Sequence, residues 1–294
     1  MDRLRLNETS PVLSYSSLPH WKIIPMNHQQ QIDRHFDASA RHWRDLYDSQ
    51  SLEGMIHQGR RTLALRWIDE LALSGRVRAL EVGGGAGLLA IDLARRGYDV
   101  DCIDSSSAMV ELARTDARSA DVAGGLSIDV GDVHALDFDP SAFDLVVAMG
   151  VVPFLHAPEK ALAEMARVAK PNGWVLLSSD NQFRLNKILD PRFIPFPGRE
   201  GLKRLLTRIG VKDPSELPTK RFPSKVARRM IEGAGLRVDR CVTIGFGPFT
   251  LLGKDLFTEP SAMRLNRWLQ ERADRGTVGL RSLGAQHIIL AQKA

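Results

Sequence analysis

Arg78-Ala79-Leu80-Glu81-Val82-Gly83-Gly84-Gly85-Ala86-Gly87-Leu88-Leu89, followed by Tyr98-Asp99-Val100-Asp101-Cys102-Ile103-Asp104-Ser105, reads as an apolar strand, a glycine turn, a helix and a second strand that ends on a carboxylate. Glycines at 83, 84, 85 and 87 let backbone amides approach a ligand, because no Cβ stands in the way and positive φ costs little. The ligand would sit at a helix N-terminus, with Asp104, 21 positions beyond Gly83, placed to accept hydrogen bonds from ribose hydroxyls. The layout is a nucleotide site. A dinucleotide is a poor fit: G-x-G-x-x-G/A needs a small third residue, and that position is Leu88 in one register and Leu89 in the next.

What remains, Glu81-x-Gly83-x-Gly85-x-Gly87, resembles the first motif of the class I S-adenosylmethionine-dependent methyltransferases. Asp104-Ser105-Ser106-Ser107-Ala108-Met109 resembles that family's second motif, Gly131-Asp132-Val133 its third site, and Phe143-Asp144-Leu145-Val146-Val147-Ala148-Met149-Gly150 its fourth strand and exit loop. The resemblance implies S-adenosyl-L-methionine as cofactor and S-adenosyl-L-homocysteine as product. It further implies that Glu81 orients the glycine loop or holds the amino end of the methionine moiety, and that Gly83, Gly85 and Gly87 admit the cofactor. Asp104, with Ser105, would bind ribose, Met109 would lie near the adenine, Asp132 with Val133 would read it, and Met149 would complete the site. In related enzymes acting on quinone precursors and Mg-protoporphyrin an aromatic residue of a leader helix folds over the cofactor, which points to Tyr47, with Trp43 equally well explained as core. His156, in Val152-Pro153-Phe154-Leu155-His156-Ala157-Pro158, is the first candidate for a catalytic base, and a structural histidine is the competing reading.

Around these motifs, strand patterns near 78–82, 99–103, 126–130, 143–149 and 173–179 alternate with helical patterns near 87–96, 107–117 and 158–169, which argues for a doubly wound parallel sheet. The helix from Pro158 is expected to end before the punctuation Pro171-Asn172-Gly173. A helix near 224–234, a strand near 236–245 and a final strand Ala285 to Lys293 follow. The fold class expected is α/β and Rossmann-like: seven strands, five parallel plus a terminal antiparallel pair implied by the family. Residues 1–30 read as loosely ordered, 31–75 as leader helices (Asp33 to Tyr47, Gly59 to Leu73), and 76–294 as the core, with lid insertions near 182–222 and 250–280.

Composition bounds the rest. The 294 residues, 44% hydrophobic and 26% charged, suffice for one large globular domain or a domain with a lid. The two cysteines, Cys102 and Cys241, lie in strand-like runs and read as small buried hydrophobes of a cytoplasmic protein. No apolar run reaches the ~18 residues needed to span a bilayer. From Gln182 to Arg240 fifteen Lys and Arg face six acidic residues, so much of the net +5 is local. That excess suits a solvated lid, or attraction to an anionic substrate or a membrane surface. Without interleaved aromatics, nucleic acid is not expected as a partner. His28, His35 and His42 recur every seven residues, a step of about 10 Å on a helix, too far for two of them to share one ion, so no metal is expected. The expectation is therefore O-methylation of a small or medium-sized acceptor, oligomeric state open. The alternatives are a non-catalytic, cofactor-binding partner subunit, or an RNA or protein methyltransferase.

Overall fold

The computed structural model describes residues 28–188, 190, 201, 208, 219–252 and 254–294. Most of the expected 1–30 segment and of the 182–222 insertion therefore lies outside the described residues, although His28 to Gln30 already belong to the first helix.

The described residues begin with helices α1 (His28–Leu46) and α2 (Leu52–Glu70). There follow β1 (Arg78–Val82), α3 (Leu88–Arg95), β2 (Asp99–Asp104), α4 (Ser107–Ser119), β3 (Leu126–Val130), β4 (Phe143–Ala148), α5 (Pro158–Val168) and β5 (Ala169–Asn181). The sheet order is β3-β2-β1-β4-β5-β10-β7, where β7 is Leu236–Ile244 and β10 is Gln286–Lys293. The first five are mutually parallel; β10 runs antiparallel to both β5 and β7. This is the expected seven-strand arrangement. A two-residue strand, β6 (Arg221–Phe222), adds to it, pairing with Asp180 and Asn181.

Apolar residues on both faces of the strands explain the layers. Leu80, Val82, Val146, Val175 and Ile289 pack beneath α5 and α7 (Ser224–Gly233), after the short α6 (Leu185–Ile188). Ala79, Val147, Leu176 and Ile288 pack beneath Trp67 and Ile68 of α2 and Ile91 and Leu93 of α3. Such continuous apolar runs are the signature of strands buried on both faces.

The boundaries differ in three places. Helix α2 starts at Leu52, earlier than expected, because Ser51 caps it by accepting from the Gly54 amide at 3.0 Å. Pro171-Asn172-Gly173 lies within β5 and not before it: Asn172 takes φ +61° and the pairing with β4 shifts between Phe143 and Leu145, so the turn residues make a bulge in a long strand. The 250–280 insertion consists of a small hairpin, β8 (Thr250–Leu251) with β9 (Lys254–Asp255), and helix α8 (Glu259–Asp274), which packs on α2. Cys102 is buried as expected, whereas Cys241 is exposed on the edge strand β7. Among the described residues no helix is long and apolar enough to cross a membrane.

Candidate functional site

At the carboxyl ends of β1, β2 and β4 the leader helices close over a cavity of about 340 Å³. Its floor is the turn after β1. Gly83, Gly85 and Gly87 adopt φ of +63°, +55° and +71°, left-handed values that favour glycine. At Gly83 a Cβ would overlap Val151 of the exit loop; at Gly85 it would meet nothing, so that backbone faces open space. Gly87 caps α3, and its missing side chain lets Ala113 of α4 approach: a Cβ there would stand 2.8 Å from that of Ala113.

Two carboxyls frame the turn. Asp104, at the end of β2, accepts the amides of Gly85 at 2.8 Å and Ser106 at 2.9 Å, fixing the loop against the second strand. Burial raises its pKa against the pull of those amides, and Asp33 and Asp37 of α1 add to the rise. Glu81 is 4% exposed, and burial pushes its pKa up to about 8. A buried carboxyl raised this far is a site suited to a cation.

The other wall is built by the leader helices, through Ile32, Phe36, Trp43 and Tyr47 of α1 and the turn after it, and His57 and Arg60 of α2. Phe36 meets Phe154 edge to face with centroids 5.1 Å apart. Arg60 is 6% exposed, donates to the Tyr47 hydroxyl at 3.1 Å, and lies against Gly150, where a Cβ would stand 2.8 Å from its Nη1. Among the described residues it forms no ion pair with a carboxylate, so its charge is available to an anionic group in the cavity.

The structure gathers Tyr47, Glu81, Gly83, Gly85, Asp104, Ser105, Met109, Asp132, Val133 and Met149 around this one cavity. Gly87 stands behind the turn. His156 is placed otherwise. Pro153, Phe154 and Leu155 line the cavity but His156 does not; it is exposed, its ring stacked on that of His134 with centroids 3.9 Å apart. His134 in turn binds Asp132 through Nδ1 at 2.7 Å, and that contact, with the His134 amide, holds the Asp132 carboxyl below its usual pKa despite some burial. The histidine chosen from the sequence thus stands beside Asp132 and not on the wall formed by Tyr47 and Arg60. The 3-10 turn Val152–Phe154 carries the chain there.

Sequence reasoning missed Arg60, His57, Asp33 and Asp37. A signal for Arg60 existed: it is on the buried stripe of α2 with Ala64, Trp67 and Ile68, and an arginine on an apolar stripe marks an internal partner or ligand.

The site fits S-adenosylmethionine in three respects: a turn without side chains open to the cavity, a buried carboxyl and a buried guanidinium for the two charged ends of an amino acid, and a carboxylate at the end of the second strand. The comparisons agree. Residues 80–177 match the family model described as a methyltransferase domain. The chain is 31% identical over 191 residues to the ubiquinone biosynthesis O-methyltransferase of Thiobacillus denitrificans, covering 64% of this chain and 76% of that one. The enzyme of the same name from Acinetobacter baylyi is 30% identical over 219 residues, 73% of this chain and 85% of its own. Among solved structures, magnesium protoporphyrin IX methyltransferase from Synechocystis with bound S-adenosylhomocysteine superposes with a TM-score of 0.60 at 17% identity, covering 90% of this chain and 100% of that one. The cyclase SpnF superposes at 0.61 and 16%, over 90% and 95%; both likenesses speak to the fold alone. The chain belongs to the class I S-adenosylmethionine-dependent methyltransferases.

Proposed function

We propose that the protein transfers a methyl group from S-adenosylmethionine to a hydroxyl oxygen of a small or medium-sized metabolite. The observation that carries this reading is the continuity of the cavity: one end is the glycine turn, and the other is walled by Phe36, Trp43, Tyr47 and His57, a mostly aromatic chamber of metabolite size. Oxygen is favoured as the acceptor atom by the relatives named above, which are O-methyltransferases.

When bound, the donor supplies a sulfonium methyl that is already a strong electrophile. The work left to the protein is to hold, align and exclude water. In this reading Glu81 and Arg60 take the ammonium and carboxylate of the methionine end, and Asp104 with Ser105 takes the ribose. Asp132 and Val133 read the adenine while Met109 packs on it, and Gly83, Gly85 and Gly87 give it room. Met149 and Tyr47 close the site around the transferable group. His156 steadies the adenine end through His134 and Asp132. The reaction is placed in the cytoplasm, where free thiols such as Cys102 and Cys241 stay reduced.

Incubation with methyl-labelled S-adenosylmethionine and a metabolite extract, followed by mass spectrometry, is expected to reveal a labelled small molecule with the methyl on oxygen. Label appearing only in RNA or protein, or no transfer despite cofactor binding, overturns the reading.

A further inference from the structure

Since His156 stands outside the cavity, the proton that a hydroxyl acceptor must lose needs another destination. A neutral hydroxyl is a poor nucleophile, and a positioned base is the usual remedy. His57, in the second turn of α2, lines the cavity with its ring between those of Trp43, 5.8 Å away, and Tyr47, 5.9 Å away. Its Nδ1 lies 3.0 Å from the carbonyl oxygen of Glu53, one turn earlier in the helix. A carbonyl only accepts, so Nδ1 carries the proton and, in the neutral ring, Nε2 carries the lone pair.

We propose that His57 is the general base of the reaction: its Nε2 takes the acceptor's hydroxyl proton as the oxygen attacks. This rests on the O-methylation reading above and adds a residue to it. The step balances. The oxygen–carbon bond forms as the carbon–sulfur bond breaks, the hydroxyl proton passes to Nε2, the sulfonium charge ends on the imidazolium, and S-adenosylhomocysteine leaves as a neutral thioether.

The surroundings keep the Nε2 lone pair free at neutral pH, at a cost in base strength. Burial, aided by the Arg60 cation one turn on, holds the His57 pKa down at about 4, so the ring is unprotonated throughout the neutral range. The other charged groups lining the cavity are Glu53 and Arg61 of α2 with Glu81, Asp104, Asp132 and Asp180, while Glu259 of α8 binds the Leu52 amide at the start of the same helix. Asp180 is the rival base, but its carboxylate is shared with Arg184 at 3.6 Å and the Gln286 amide at 3.4 Å.

The test uses full-length protein and two probe acceptors, catechol and the more acidic 4-nitrocatechol, which ionises near neutrality. With catechol, His57→Gln is expected to lose about 100-fold in kcat at pH 7. Its residual rate should then climb about tenfold per pH unit as the acceptor supplies its own anion, while the wild type stays level. With 4-nitrocatechol at pH 8 the two proteins should differ by less than about threefold, for want of a proton to remove. S-adenosylhomocysteine affinity should be unchanged, which separates loss of a base from loss of fold. Equal losses with both acceptors, or this pattern in Asp180→Asn instead, overturns the proposal. Nitrogen-15 NMR of the imidazoles in the S-adenosylhomocysteine-loaded protein is a readout free of turnover: Nδ1 of His57 is expected to be protonated and Nε2 bare at pH 7, and the opposite tautomer overturns the proposal. Failure of the wild type to methylate either probe, with the expected tautomer present, counts against the probes as acceptors and against the O-methylation reading, not against the basic nitrogen.

Discussion

At the floor of the cavity Glu81 holds its proton at a pH where an ordinary carboxyl has long lost it, because burial favours the neutral form and only the Ala90 amide and the Arg61 cation oppose this. The consequence for stability has a definite sign. Between the ordinary value of 4.5 and the buried value of about 8 the unfolded chain is ionised at this residue and the folded chain is not. Folding takes up a proton there, and stability falls as pH rises, by up to about 1.4 kcal/mol per pH unit. Glu81→Gln is expected to remove this slope, seen as a smaller pH dependence than wild type in urea unfolding of the cofactor-free protein between about pH 5.5 and 7.5. A cationic cofactor reverses the preference, so binding at neutral pH should release up to about one proton, read by calorimetry in buffers of different ionisation enthalpy. At Gly83, a new Cβ meets both a φ of +63° and the Val151 side chain. Gly83→Ala should therefore cost about 1–3 kcal/mol in stability, more than Gly85→Ala, whose Cβ meets no protein atom and would instead stand in the open space of the cavity. Both residues were legible in the sequence because the motif is local: strand, turn and helix are consecutive in the chain. His57 and Arg60 were not, since they reach the same cavity from a helix whose docking only tertiary packing decides. His156 misled for the opposite reason, being close in sequence to the exit loop yet turned away from the cavity.

Helix α1 shows how a whole element is held where no motif announces it. Its apolar side presents Ile32 and Phe36 to the cavity, while its acidic residues grip the start of α4. The Ser105 hydroxyl donates to Asp33 at 2.8 Å, the Ser106 hydroxyl and the Ala108 amide donate to Asp37 at 2.6 and 3.3 Å, and Arg44 meets Asp116 at 3.2 Å. A carboxylate at a helix N-terminus accepts otherwise unsatisfied amides and suits the dipole. Asp37→Asn keeps the shape and removes the charge; it should cost about 0.5–1 kcal/mol in denaturant unfolding and weaken S-adenosylhomocysteine binding several-fold by loosening the wall. No change in either would mean that the apolar contacts alone seat α1. Periodicity in the sequence indicated that leader helices exist, and missed where α2 begins, because its first turns are defined by the Ser51 cap and by packing on α8, where the Asn266 amide lies 3.3 Å from the Met55 sulfur. The sheet was more legible than the helices: its central strands β1, β4 and β10 are buried and read as apolar runs. The two-residue β6 escaped, being too short to show a pattern, and so did the bulge in β5, since Pro171-Asn172-Gly173 has the chemistry of a turn whether the chain reverses or merely kinks.

Across the molecule, the cavity joins segments far apart in the chain: residues 29–61, the turn after β1, the ends of β2 and β4, and Asp180 with Gln286 at the junction of β5 and β10. The sheet holds the second group rigidly, since β4, β5 and β10 are central strands. Helix α1 is held from one side, through α4 and the rings around the cavity, and the start of α2 through α8, while Ala64, Trp67 and Ile68 seat the rest of α2 on the sheet. A ligand that fills the space between these two parts stabilises the folded chain by about 2.7 kcal/mol at a hundred times its dissociation constant, and the gain is felt most by the part that opens at least cost. Hydrogen exchange should register the asymmetry. On saturation with S-adenosylhomocysteine the amides of α1 and the first turns of α2 are expected to slow strongly, with those of the glycine turn, while the amides of the central, buried β10 change little. The reverse pattern would mean that the leader helices are a fixed part of the core. Slowing throughout α1 in wild type but not in Asp37→Asn would tie the closure of the wall to the carboxylates that grip α4, because only that contact distinguishes the two proteins while the cofactor's own partners on the sheet are the same.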